Sequence, residues 1–111
     1  MDTNLNGYME QMVTFKADDT LTKTGVPVMF SDNNTVCECV AGSIPSGICI
    51  ALRNGYATVQ TAGYVKVNTS TKVPLGYKSI AANGKGGVEI SETGRYCIIA
   101  NRTDTEAGII L

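Results

Sequence analysis

Residues 48–60 read Ile48-Cys49-Ile50-Ala51-Leu52-Arg53-Asn54-Gly55-Tyr56-Ala57-Thr58-Val59-Gln60. Two strand-forming runs flank an Asn-Gly pair, which supplies the positive φ angles of a two-residue type I′ turn. Such a turn fixes the register: Arg53 faces Tyr56, Leu52 faces Ala57, Ala51 faces Thr58, Ile50 faces Val59 and Cys49 faces Gln60. Side chains alternate between the two faces of a strand. Ile48, Ile50, Leu52, Ala57 and Val59 are therefore expected on the core face, with Arg53, Tyr56, Thr58 and Gln60 on the other. The two runs, read separately, agree on which side is buried, and this predicts β-structure at the centre of the chain.

Working outward, the second run continues past Gly63, where a bend or bulge is expected, and Val65 and Val67 keep the parity of Val59. Further strands are predicted over 26–30, 36–40, 76–81, 88–91, 95–100 and 108–111. Turn signals such as Ser31-Asp32-Asn33-Asn34, Asn54-Gly55 and Asn83-Gly84-Lys85-Gly86-Gly87 separate them at roughly 8–12 residues, the rhythm of a barrel or sandwich. Pro27 cannot donate to a ladder, so its strand is expected at a sheet edge. The run 96–100 is apolar on both faces, which fits a central strand or one covered by a partner; this makes Tyr96 and Ile98 candidate interface residues. Ile109-Ile110-Leu111 reads as a closing strand.

The totals agree with an all-β, single-domain β-barrel or β-sandwich over residues 13–111, preceded by a flexible N-terminal arm, 1–12. With 111 residues, 43% of them hydrophobic, and a net charge of −1, the chain suits one compact core. Nine basic against ten acidic residues leave no excess to neutralise phosphates, so no nucleic-acid partner is expected. No apolar run approaches the roughly 20 residues of a membrane span, and no membrane partner is expected. The start of the chain lacks a basic, apolar leader, so synthesis and retention in a cytoplasm are expected unless the protein is packed into a particle. In the arm, Leu5, Tyr8, Met9 and Met12 share one face at helical spacing, but Gly7 and the short length work against an isolated helix. The segment is either an unstructured tail or an arm that orders on a neighbouring subunit or surface.

Little in the sequence suggests chemistry. There is no histidine, which removes the commonest general base and metal ligand. Cys37 and Cys39 would share a strand face roughly 6.5–7 Å apart, at or beyond disulfide reach. Cys49 and Cys97 sit in apolar runs, and no C-x-x-C knuckle is present. All four are expected to pack as small apolar side chains. Gly84-Lys85-Gly86-Gly87 lacks the following Ser or Thr and helix of a phosphate loop, and is expected to be a loose hairpin loop. Asp18-Asp19 and the Glu89/Glu92 pair read as solvated faces. No enzyme activity, cofactor or metal is expected.

The segments Gly47-Ile48-Cys49-Ile50, Gly55 to Gly63, Leu75-Gly76-Tyr77 and the ending Gly108-Ile109-Ile110-Leu111 resemble the short tailed-phage head proteins that decorate and stabilise capsids. The similarity spans residues 13–111. It implies a β-barrel-like fold without enzymatic activity, a homo-oligomer such as a trimer, and the major capsid protein as partner on the outer surface of the virion. A small β-barrel binding module, or another virion component such as a tail or head-fibre piece, is the alternative.

Overall fold

A computed structural model of the chain describes residues 10–111, which form ten strands and no helix: β1 (Gln11–Ala17), β2 (Pro27–Asp32), β3 (Thr35–Glu38), β4 (Gly47–Arg53), β5 (Tyr56–Ala62), β6 (Tyr64–Asn68), β7 (Gly76–Ala82), β8 (Val88–Ile90), β9 (Arg95–Arg102) and β10 (Glu106–Ile110). The Asn54-Gly55 turn forms with both residues at positive φ, 50° and 81°. Arg53, Leu52 and Ala51 meet Tyr56, Ala57 and Thr58, as the turn dictates. Beyond that point the register departs from the expected one. Ile50 is left over in a β-bulge, so Cys49 meets Val59 and Ile48 meets Gln60. The extra residue resets the alternation. Cys49, not Ile50, joins Ala57 and Val59 in the first core. Ile48 and Gln60 point out of that core, yet both are buried, because the rest of the chain covers that side.

β1–β5 close into a barrel in the order β1-β3-β2-β4-β5, with β1 and β3 parallel and every other pair antiparallel. Pro27 therefore does not mark an edge, since β2 lies between β3 and β4. As the first residue of its strand it removes no donor from within the ladder, and its carbonyl accepts a hydrogen bond from the Cys39 N–H (2.9 Å). β1 begins at Gln11, so Met12 is a barrel residue paired with Gln60, and the boundary of the arm falls before it. Leu5, Tyr8 and Met9 lie outside the described residues.

At Gly63 (φ 92°) the chain leaves the barrel for a second sheet, a conformation that glycine adopts without a Cβ penalty. The Gln60 amide fixes this crossover, its Nε2 donating to the carbonyls of Ala62 (3.1 Å) and Tyr64 (2.8 Å). Val65 and Val67 consequently belong to the second core, apart from Val59. The second sheet runs β6-β10-β9-β7-β8, and a parallel bridge between Thr69 and Val88 ties its two ends. β9 is central, as the run 96–100 suggested, with Cys97 and Ile99 buried and Tyr96 and Ile98 exposed. β10 is held on both sides, by β6 and β9.

The two halves have the same pairing diagram. In each, the first strand lies parallel to the third, and the others follow in the order third, second, fourth, fifth and back to the first. Even the irregularity repeats: Ile50 is skipped between the β4–β5 pairs Cys49–Val59 and Ala51–Thr58, and Ala100 between the β9–β10 pairs Ile99–Ile109 and Asn101–Gly108.

The joint between the halves is mostly apolar. Ile48 belongs to the second core, where it packs with residues such as Val65, Ile80 and Ile109, and the half-buried Ile50 packs against it. Arg95 spans the joint, donating from Nη1 to the carbonyls of Ser46 (2.7 Å) and Pro45 (3.4 Å) and from Nη2 to that of Thr61 (2.7 Å). Backbone bonds from Gly42 to Ala82 and from Ala82 to Ser43 add a second tie, and Leu111 and Gly63 exchange a third.

All four cysteines are buried with free thiols, Cys49 in the first core and Cys97 in the second. Burial pushes the thiols of Cys39 and Cys97 up to about 11. Both should therefore resist iodoacetamide at pH 8 in the native protein and react at once in denaturant, because the thiolate is the reactive species. The unfolded thiols ionise near 9 and the folded ones near 11, so their contribution to stability is intact below about pH 9 and is lost as the pH rises through about 11. Rapid labelling of the folded protein at pH 8, followed by mass spectrometry, would overturn this assignment.

Candidate interaction face

The outer face of the second sheet is divided into a covered part and an open part. On the covered part, Gly108 lets the Tyr64 ring approach: a Cβ at Gly108 would collide with the Tyr64 hydroxyl and the Asn101 amide. Asn101 Nδ2 donates to that hydroxyl (3.0 Å), and Tyr64 is buried. The chain therefore caps the β6–β10 side of this face with its own side chain.

Among the described residues nothing covers the β7–β9 side in this way. Tyr77 and Ile98 are directly opposite each other, and Tyr96 is opposite Ser79, so Tyr77 and Tyr96 form a diagonal pair on one face. Their rings stack with centroids 5.1 Å apart and planes 16° from parallel. Stacked rings of this kind gain about 0.5–1.5 kcal/mol beyond their area burial, so the pair is a preformed surface. Ile98 faces the half-buried Ile110 across β10, and the exposed Leu75 precedes β7. The β8–β9 turn sets the position of Tyr96. The Gly94 N–H donates to Ser79 Oγ (2.8 Å), and Gly94 lies so close to the Ile80 carbonyl that no Cβ fits there.

Two of the residues read from sequence as interface candidates, Tyr96 and Ile98, are thus neighbours on this face. Met12 is exposed on the other sheet, in β1. Tyr77 was not legible as their companion. Alternation against the buried Ile80 puts it on the outer side of its strand, but β8 intervenes between β7 and β9 in the chain and hides their pairing. Chemically the strip offers stacked aromatic rings and an aliphatic side chain, the composition of an interface centre.

The 83–87 loop and Asp18 are each organised by local hydrogen bonds. Asn83 organises the 83–87 loop, which is not loose: its Oδ1 accepts from the N–H groups of Lys85 (2.7 Å) and Gly87 (3.1 Å), and its Nδ2 donates to Ser70 Oγ (3.0 Å). Asp18 accepts from the Thr20 N–H and hydroxyl and from the Ser31 hydroxyl, and these bonds, the Thr20 N–H first, lower its pKa. Among the described residues no three His, Cys, Asp or Glu side chains converge as a metal site would require. No protein-family model matches the chain, and no curated protein is significantly similar to it.

Proposed function

We propose that the protein is a structural virion component that binds the outer surface of a phage capsid as an oligomer and stabilises the shell. The observation that carries this reading is the open Tyr77–Tyr96–Ile98 strip on an all-β body. A contiguous apolar face of this kind marks an interaction surface. The resemblance of residues 13–111 to short capsid-decorating proteins supplies the partner, the major capsid protein. The mechanism is mechanical: many copies at lattice junctions each add a small contact energy, and the gains sum over the shell. On this reading the open strip serves self-association, and the N-terminal arm contacts the shell.

Purified protein mixed with undecorated shells of the phage that encodes it should cosediment with them. Because β1 starts at Gln11, the arm is tested by deleting residues 2–9. That deletion should leave the melting temperature nearly unchanged and weaken cosedimentation. Failure of the full-length protein to sediment with shells rejects the decoration reading, and sedimentation with tails instead supports the tail or head-fibre alternative. Equal binding by the truncated protein removes only the role of the arm.

A further inference from the structure

The shared pairing diagram assigns each residue of one half a counterpart in the other. On β4 and β9 Ile48 matches Ile98, on β2 and β7 Pro27 matches Tyr77 and Phe30 matches Ile80, and on β1 and β6 Val13 matches Val65. Matched residues lie on the same side of their strands but differ sharply in exposure. Ile48 is 0% exposed and Ile98 45%. Pro27 is less than 2% exposed and Tyr77 69%. The reverse holds on the receiving side, where Val65 and Ile80 are 8% and 1% exposed, but Val13 and Phe30 are 44% and 49%.

The internal joint explains the asymmetry. The outer face of the first half, centred on Ile48, acts as a plug, and the second core, with Val65 and Ile80, is the socket that receives it. The second half carries the same plug position, the Tyr77–Tyr96–Ile98 strip, and nothing within the described residues covers it. The first half carries the same socket position, Val13 and Phe30, with Phe30 held edge-on against Phe15 (centroids 5.0 Å, planes at 84°). Among the described residues one chain thus ends in an open plug and an open socket, the two sides of a joint it already makes once internally.

We infer that copies of this chain associate head to tail, the Tyr77–Tyr96–Ile98 face of one copy seating on the Val13–Phe30 opening of the next. The occupant of each surface is a second copy, because the internal joint shows what the matching surface of the first half, centred on Ile48, pairs with. The contact is heterologous: different patches meet, unlike the self-complementary patch of a two-fold dimer. The inference deepens the self-association reading of the strip and is independent of the capsid.

The test is complementation. Ile98→Asp disables the plug and leaves the socket, while Phe30→Asp does the opposite. Both positions are exposed, so both variants should keep the wild-type circular dichroism spectrum; Tyr77→Asp and Val13→Asp replace either one that does not. By light scattering the wild type should exceed the 11.7 kDa monomer mass, and each variant alone should be monomeric. An equimolar mixture of the two variants should form one intact junction, and so a species of twice the monomer mass and nothing larger. A monomeric wild type, a Phe30→Asp variant with wild-type mass, or a mixture that stays monomeric each overturns the inference. A protein that associates in this way but ignores shells keeps the inference and loses the capsid reading; a monomer that cosediments with shells does the reverse.

Discussion

Replacing Ile48 with Asp should abolish cooperative folding at 25 °C. Ile48 is fully buried, and it lies outside the core of its own barrel and inside that of the second sheet. Truncating a buried aliphatic side chain costs about 2–5 kcal/mol, and an unpaired carboxylate in that position adds a desolvation penalty of several kcal/mol more. Together these rival the roughly 5–15 kcal/mol that holds a domain folded. The neighbouring Ile50, half-buried in the bulge, provides the contrast. Ile50→Asp should cost only about 1–2 kcal/mol, and Thr58→Asp about 1 kcal/mol or less. Urea midpoints for the three variants distinguish the bulged register from an uninterrupted ladder. In an uninterrupted ladder Ile50 would face Val59, and its loss would be the severe one.

Arg95→Met should lower the melting temperature by roughly 15 °C. The guanidinium reaches three main-chain carbonyls of the first half from a strand of the second, two of them at 2.7 Å. Hydrogen bonds from a charged donor are worth about 1.5–3 kcal/mol each. Removing this side chain also leaves the carbonyls unpaired beside an apolar joint. A net loss of about 3 kcal/mol, at roughly 4–8 °C per kcal/mol for a domain near this size, gives the expected shift. Arg95→Lys keeps the charge but loses the fork that reaches both sides, and should recover less than half of the loss. A melting temperature for Arg95→Met within about 3 °C of the wild type would show that apolar contacts alone hold the joint.

The all-β class, the central hairpin and most strands were legible because Asn54-Gly55 and the period-2 pattern are local signals. What the sequence concealed depends on distant partners. The bulge at Ile50 cannot be read from Ile-Cys-Ile-Ala, since each of those residues suits either face, and only the covering half makes burial of both Ile48 and Cys49 favourable. β1 was missed altogether, because its partners β3 and β5 lie some twenty and fifty residues away, and nothing local in Gln11–Ala17 signals a strand. Pro27 suggested an edge because the rule concerns a missing donor, and at a strand's first residue that loss falls outside the ladder. The repetition of the two halves left little trace in residue identity. Ile48 and Ile98, Ala57 and Ala107, and Val13 and Val65 coincide, but Pro27 matches Tyr77 and Gln60 matches Ile110. Tyr96 and Ile98 were legible as a strand with two apolar faces, whereas the stacking of Tyr96 on Tyr77 required the non-sequential pairing of β7 with β9.

The crossover at Gly63 also bears on how the chain is made. Every ladder of the first barrel closes within residues 11–62, so a nascent chain can complete that barrel before the second half leaves the ribosome. At roughly 5–20 residues per second the remaining half follows over several seconds. Throughout that interval Ile48 and Ile50 present an apolar surface whose permanent cover has not yet emerged. The same surface matches the plug by which, on the inference above, finished copies join. If copies join through that surface, emerging chains on one polysome would expose it to one another, and docking of the second half in cis would compete with premature assembly.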